Sequence, residues 1–529
     1  MSLVHLKNKI SGVTYVYESS GYWDKEKQQA RNNRVCIGKL DPKTGELIPS
    51  KKRQAPVLES KQGPAPSLEF KRSFCGSTHL FDAIGDKLGV TEDLRRCFPG
   101  TYKHILSVAY YLIMEDRNPM SRFPKWALTH MHPFGKDISS QRSSEMFGDI
   151  GENAKQRFFQ LQTERRMEKE YLAYDTTSIS SYSKLLKQVR HGVNKDHDLL
   201  PQINLAMVFG ESSRLPVCFR KLPGNIADVT TLTNLLRDMD FLQLDKLKLV
   251  MDRGFYSAAN INEMYRRHYK FIIPVKKSLL FVKEKIDEAK DSIISRRHYS
   301  ARDGVHYASF PINWDYTEKK PRSGEIVKGT RRMYLHLYYD AQRATDNVLA
   351  FNKFLDGLEE ELSSGKRIPE HEKSYAKYYD VKKTPVRGIS LTPKQEAIDE
   401  AERYYGFFAL ISNGVKDPLE ALGIYRGKDL IEKGFGNLKE RLNLRRTSVS
   451  SEENLDGKLF VQFIALIYLS YIQKVMHDKD LFRKFTMQEL LDDLDVIERF
   501  EQPGKRHHIG EITKKQLSLY DLLEVGAPT

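Results

Sequence analysis

The amino-acid sequence predicts an α/β protein whose mixed sheet is interrupted by an inserted β-rich region and flanked by helices. Three observations lead there: the order of apolar runs between 169 and 276, a change of texture from 277 to 415, and a helical pattern that resumes after it. In the first stretch, strand-like runs fall at Tyr171 to Ile179, Ile203 to Gly210 and Leu215 to Leu222. A helical pattern follows at Asp228 to Met239, then a strand at Leu247 to Asp252, a helix over Ala258 to Tyr269 and a strand at Phe271 to Val275. Residues 277 to 415 are charged and carry strand-like pieces such as His306 to Phe310 and Met333 to Tyr339. A structureless loop of that length is implausible inside a compact domain, so the segment reads as an inserted domain. Tyr405 to Ile411 is then strand-like, and Asp417 with Pro418 opens a helix expected to continue past Glu432.

Three strands, a helix, a strand, a helix and a strand is the order of a ribonuclease H-like core, which sets carboxylates at the ends of its first and fourth strands and on a late helix. The remaining chain divides around it. Residues 1–66 form a small β-rich unit and linker, with short strands at Val13 to Tyr17 and Arg34 to Ile37, a turn at Asp41 to Gly45, and a Lys- and Pro-rich stretch from Lys51 to Pro66. Residues 67–168 are helical. They include Tyr102 to Met114 and Ile138 to Ile150, the latter either half of a helix-turn-helix or a capped surface helix. The core then occupies 169–276 and 416–475, the insertion 277–415, and a helical region, a candidate for dimerisation, 476–529.

A chain of 529 residues exceeds one ordinary core. Lys plus Arg outnumber Asp plus Glu by 85 to 70, and the net charge of +15 favours a polyanionic partner. Cys36, Cys75, Cys97 and Cys218 are scattered without a Cys-x-x-Cys pair, which argues against a disulfide framework or a zinc ribbon and for a reducing cytoplasm. Met1 to Gly12 lacks the apolar centre of a signal peptide, so no export is expected. The apolar stretch Leu459 to Ile472, about 14 residues, falls short of a bilayer span and reads as a buried core helix, with no membrane partner.

The chemistry-bearing residues begin with Asp175, where an apolar strand gives way to small polar residues, and Asp252, which repeats the arrangement. Adjacent strands ending in Asp bring two hard oxygen ligands together, as Mg²⁺ or Mn²⁺ requires beside phosphate. Either Asp alone would read as a strand-end turn residue. Tyr425, Lys428, Glu432 and Lys439 follow at spacings of three, four and seven, which puts them on one face of a regular helix. An acid flanked by cations suits DNA, although Lys428 and Glu432 could also be a solvated i,i+4 pair. His191, Asp196, His197 and Asp198 read as a polar turn, Asp228 as a helix cap, and His130 and His132 as structural.

The segment from Tyr425 to Lys439 resembles the Tyr-x2-Arg-x3-Glu-x6-Lys signature of bacterial insertion-sequence transposases of the DDE class, with Lys428 in place of the Arg. His191 to Asn204, Leu222 to Asp228 and the apolar helix after Gly457 are similar to the same family. The likeness covers roughly 165 to 475, and it implies that the helical residues 67–168 are a DNA-end-binding domain. The resemblance implies cut-and-paste transposition, with two Mg²⁺ or Mn²⁺ ions per site held by Asp175, Asp252 and Glu432, and no nucleotide cofactor. It implies double-stranded DNA partners, both terminal inverted repeats and target, and a homodimer in the synaptic complex, acting in the bacterial cytoplasm on nucleoid DNA. Tyr425, Lys428 and Lys439 become substrate-positioning groups, and either Lys428 or Arg426 fills the role of the signature Arg. Arg253, Arg441, Arg445 and Arg446 are further DNA contacts. Trp314 either stacks on an unpaired base or packs in the insertion's own core. Two other readings of the same residues are a noncatalytic DNA-binding regulator descended from such an enzyme and a nuclease that cuts without joining.

Overall fold

A computed structural model of the chain describes residues 2–24, 29–50, 71–115, 118–165, 170–183, 185–192, 198–226, 232, 247–320, 324–384, 388–442, 444, 446, 447, 449 and 451–529. The linker from Lys51 to Pro66, most of the helix expected at Asp228 to Met239, and Asp196, His197, Asp228 and Arg445 lie outside them. The chain forms two compact units, Met1–Phe70 and Lys71–Thr529.

The first unit is an antiparallel sheet in the order β1 (Ser2–Lys7), β2 (Thr14–Asp24), β3 (Gln29–Leu40) and β4 (Leu47–Pro49). β-Branched and aromatic residues open β2 from Thr14 to Tyr17, and Val16 is buried there. Asp41 closes the β3–β4 turn by accepting from the Lys43 amide at 2.8 Å.

The second unit opens with a short strand, β5 (Lys71–Phe74), and six helices: α1 (Gly76–Lys87), α2 (Val90–Cys97), α3 (Tyr102–Met114), α4 (Phe123–Ala127), α5 (Ser140–Gly148) and α6 (Glu152–Glu164). Ser139 caps α5, whose Ser143, Met146 and Phe147 are buried while Gln141, Arg142, Ser144 and Glu145 are exposed. The segment is thus a capped helix with one face docked on a later core helix.

The sheet that follows is built from β6 (Leu172–Ser181), β7 (Gln202–Gly210), β8 (Pro216–Pro223), β9 (Lys248–Met251) and β10 (Lys270–Val275), with α7 (Ala258–Arg266) between the last two. Their spatial order is β8-β7-β6-β9-β10; β7 runs antiparallel to its neighbours, and β6, β9 and β10 are mutually parallel. This is a ribonuclease H-like core. β6 and β7 are buried along their whole length; β7 reads accordingly as a nearly continuous apolar run, whereas β6 buries small polar residues from Thr176 to Ser181 beyond its apolar opening.

The insertion does not build a separate sheet for its long hairpin. After α8 (Leu280–Ile293), the strands β11 (Tyr299–Ser300), β12 (Val305–Lys319) and β13 (Ile326–Tyr339) extend the core sheet through β16 (Phe407–Ser412), which pairs with β10. Between β13 and β16, α9 (Ala341–Ser364), α10 (Glu372–Tyr378), the hairpin β14 (Tyr379–Thr384) and β15 (Gly388–Pro393), and α11 (Gln395–Glu402) surround a second small core that includes Leu355, Leu358, Tyr375, Tyr378 and Ile398. The insertion is therefore mixed α and β.

The chain returns through α12 (Pro418–Gly427), capped by Asp417, and α13 (Asp429–Gly436), which widens into a π-helical turn at Asn437–Arg441. After β17 (Arg446–Thr447) comes α14 (Glu452–Asp478), buried along most of its length. It is long and apolar enough to cross a membrane by length and composition, yet 89% of its most apolar window lies inside the protein. It extends beyond the apolar stretch because Ser451 caps it about two turns earlier, and its interior Gln462 donates to the Leu442 carbonyl at 2.6 Å. The unit ends with α15 (Met487–Asp495), strands β18 (Glu498–Glu501) and β19 (His508–Ile509) paired beside β5, and α16 (Lys514–Leu522).

Candidate active site

Sheet register creates the first half of the site. β6 and β9 run parallel with Tyr174 opposite Met251, so the next residue of each, Asp175 and Asp252, emerge side by side. Each carboxylate is oriented locally: Asp175 accepts from the Thr176 amide at 2.7 Å, and Asp252, ending its strand, accepts from the Arg253 amide at 2.8 Å. Asp175 is buried, whereas the Asp252 side chain is 48% exposed and faces a cleft.

The second half comes from the break between α12 and α13. Lys428 sits at this joint, only 3% exposed, and reaches in from the helical side. Its Nζ lies 3.8 Å from Oδ2 of Asp175 and 3.7 Å from Oδ2 of Asp252. Tyr425, one turn earlier, interacts with Asp252, and burial together with that negative charge pushes its phenol well above the ordinary range. Glu432 is exposed on α13, one turn beyond Lys428. α13 packs across β6, and Gly434 allows the approach, because a Cβ there would meet the Phe209 ring at 2.5 Å.

A cleft of about 830 Å³ opens beside this group, lined by Asp252, Arg253, Lys276, Arg343, Tyr425 and Arg426 among others. Four cations against two carboxylates, Asp252 and Asp340, leave the lining net positive, the character of a phosphate-binding groove. Residues 166–468 match the family described as Transposase DDE domain. The chain belongs to the DDE transposases. One solved structure, the cryo-EM structure of a piggyBac transposase synaptic complex with hairpin DNA, is similar at 8% identity over 79% of this chain and 75% of its own, with a TM-score of 0.35. No curated protein matches the chain.

DDE transposases work with divalent metal ions, and two features of this transposase fit one. Two hard carboxylates converge on a single point, and that point already holds a positive charge. Among the described residues, however, no three His, Cys, Asp or Glu side chains are grouped closely enough to hold a metal ion, so Glu432 stands apart from the aspartate pair in this arrangement.

The other expected DNA contacts of the transposase are dispersed. Arg253 and Arg426 reach the cleft, although Arg426 also donates to the Asp303 carbonyl at 3.1 and 3.2 Å. Lys439 and Arg441 lie in the π turn, where rotation per residue falls below that of an α-helix, so Lys439 is turned away from the position that a regular 3.6-residue period gives it. Arg441 donates to Oε1 of Gln488 at 2.6 Å. For Arg446 only the backbone is described, paired with β6. Trp314, half-buried on β12, donates from Nε1 to Asn262 of α7 at 2.8 Å.

Lys276 and Arg343 line the cleft but carry no motif. Lys276 follows β10 at the same carboxyl end of the parallel strands as Asp252, a position at which open α/β sheets bind ligands. Arg343, in the first turn of α9 with its guanidinium 5.1 Å from the Phe408 ring centroid, reaches the cleft only because β13 joins the core sheet. No local sequence signal announces it.

Proposed function

We propose that the protein is a DNA transposase that cuts at transposon ends and joins the freed strands to target DNA. The observation that carries this reading is the juxtaposition of Asp175 and Asp252 on neighbouring parallel strands, beside a cationic cleft. Asp175, Asp252 and Glu432 would hold Mg²⁺ or Mn²⁺, two per site, which supply an activated attacking oxygen and charge neutralisation at the leaving oxygen.

The chain's own groups supply the rest. Arg253, Lys276, Arg343 and Arg426 bind phosphates on either side of the scissile bond and fix the strand for in-line attack. The Tyr425 phenol, kept protonated by burial and by Asp252, remains a hydrogen-bond donor throughout the working pH range. Exposed Glu432 approaches the aspartates by side-chain rotation from the helix face that Lys428 shares. Because two ends must be cut and joined together, the working unit would be a homodimer on terminal inverted repeats, in the cytoplasm.

The test is incubation of the protein with a duplex bearing both terminal repeats of its own element, a supercoiled target and Mg²⁺. Release of the ends followed by their insertion is the expected result. Binding alone would make the protein a regulator, and release without insertion a nuclease.

A further inference from the structure

Lys428 is placed where a phosphate-contacting lysine has no reason to be. A residue that serves only DNA should extend towards solvent, as long cationic side chains do. The Lys428 side chain is instead 4% exposed and aimed between two carboxylates, one of them 10% exposed. Both separations exceed hydrogen-bond length, so the ammonium is held by the summed field of the pair more than by either partner alone. The two separations are nearly equal, so the ammonium favours neither acid and occupies the side from which a shared ion would be approached.

We infer that Lys428 is the resident counter-ion of the aspartate pair, displaced into the cleft when divalent metal binds, so that one ammonium serves first the acids and then the DNA phosphate. The inference rests on the transposase reading and adds a role within it. Without a cation, Asp175 and Asp252 would face each other as like charges on adjacent strands, one of them buried. Lys428 relieves that repulsion in the metal-free protein. A divalent ion cannot share the position, because it would sit a few ångströms from a unit positive charge in a partly buried setting. The lysine stem has the freedom to leave: it is a flexible four-carbon chain anchored at the joint between α12 and α13. Tyr425 and Arg426, just before that joint, line the cleft, so a displaced ammonium enters the phosphate groove. Metal loading therefore adds a cation to the groove, and a bound phosphate, by holding Lys428 outside, favours the metal in return.

Two measurements made without DNA test this. The first is acetylation of lysines in the wild-type protein, read residue by residue by mass spectrometry with and without saturating Mn²⁺. Lys428 should be protected in the metal-free protein and labelled several-fold faster with Mn²⁺. Lys155, equally buried but paired with Glu152, should stay unchanged. The second is calorimetric titration of Mn²⁺ into the wild type and Lys428→Met, where loss of the competing charge should tighten binding by about tenfold. If Mn²⁺ binds the wild type while Lys428 labelling stays flat and Lys428→Met binds no more tightly, the counter-ion role is wrong and the transposase reading stands. Binding to Lys428→Met alone would support the inference in its strongest form. Absence of Mn²⁺ binding in both proteins would overturn the inference together with the metal-dependent function.

Discussion

The two halves of the candidate site are built on different principles. On the sheet side, Asp175 and Asp252 are placed by the pairing of β6 with β9, and a one-residue slip would turn every side chain of a strand to its other face. On the helical side, the signature from Tyr425 to Lys439 and the basic residues that follow it are delivered by three pieces: α12, α13 and a π turn. These residues separate accordingly. Lys428 goes to the acids, Arg426 to the Asp303 carbonyl, Arg441 to Gln488, and Glu432 to solvent. Register in a fully buried sheet is rigid, whereas helix phase is reset wherever the helix breaks or widens.

The largest expected effect lies on the rigid side. Asp175→Asn or Asp252→Asn, nearly isosteric, should lower end cleavage by about a thousandfold or more while end binding and thermal midpoint change little. Retained cleavage in either variant would remove that strand from the chemistry and undo the contrast. On the adaptable side, Gly434→Val should be the most damaging neutral substitution, because Phe209 behind it is fully buried and cannot retreat. It should cost about 1–3 kcal/mol of stability, and cleavage per folded molecule should also fall, since Glu432 moves with the helix. Gly457→Ala, whose Cβ would meet the Phe147 carbonyl oxygen at 1.9 Å, is the matched control. It should destabilise comparably at the α5–α14 contact and leave cleavage per folded molecule intact.

The same contrast explains how much the sequence revealed. The core strands and their order were legible because buried strands carry short apolar runs with few competing interpretations, as in β7 and the opening of β6. Asp252 was legible as an acid at a strand end, whereas Asp175, expected at one too, lies within β6, which continues to Ser181. A periodicity of 3.6 does not reveal that α12 stops at Gly427 or that the helix widens at Asn437, because both depend on packing against β6 and α14. The placement of Lys428 was unreadable for a related reason: its partners lie some 250 and 175 positions away, and only the closed sheet brings them together. The insertion misled in one respect, since β12 and β13 extend the core sheet while helices make the second small core.

A pH experiment sharpens the comparison from the stability side. His336, on β13 within the sheet, is fully buried, and burial lowers its pKa from 6.5 to about 4. The unfolded chain therefore binds a proton that the folded chain refuses between those values, and stability is lost as pH falls from about 6.5 towards 4. Up to about 3 kcal/mol of acid sensitivity follows from this one group. His132, in the helical region, is held neutral by burial in the same direction. In urea titrations across this window, His336→Leu should flatten the slope of stability against pH. An unchanged slope would assign the acid sensitivity to His132 or to other groups.

The smallest effect concerns Arg441, just beyond the signature, where two possible uses of the basic run can be told apart. Its guanidinium donates to Gln488 of α15, which ties the π turn to the C-terminal helices. If that is its work, Arg441→Ala and Gln488→Ala should each cost about 0.5–1.5 kcal/mol and should not add when combined. The logarithmic salt dependence of DNA binding would then stay the same, because no phosphate contact is lost. A reduction of that slope by about one in Arg441→Ala, absent in Gln488→Ala, would return Arg441 to the DNA. It would also mean that the helical half of the site keeps more of its sequence-encoded phase than the break at Lys428 and the π turn suggest.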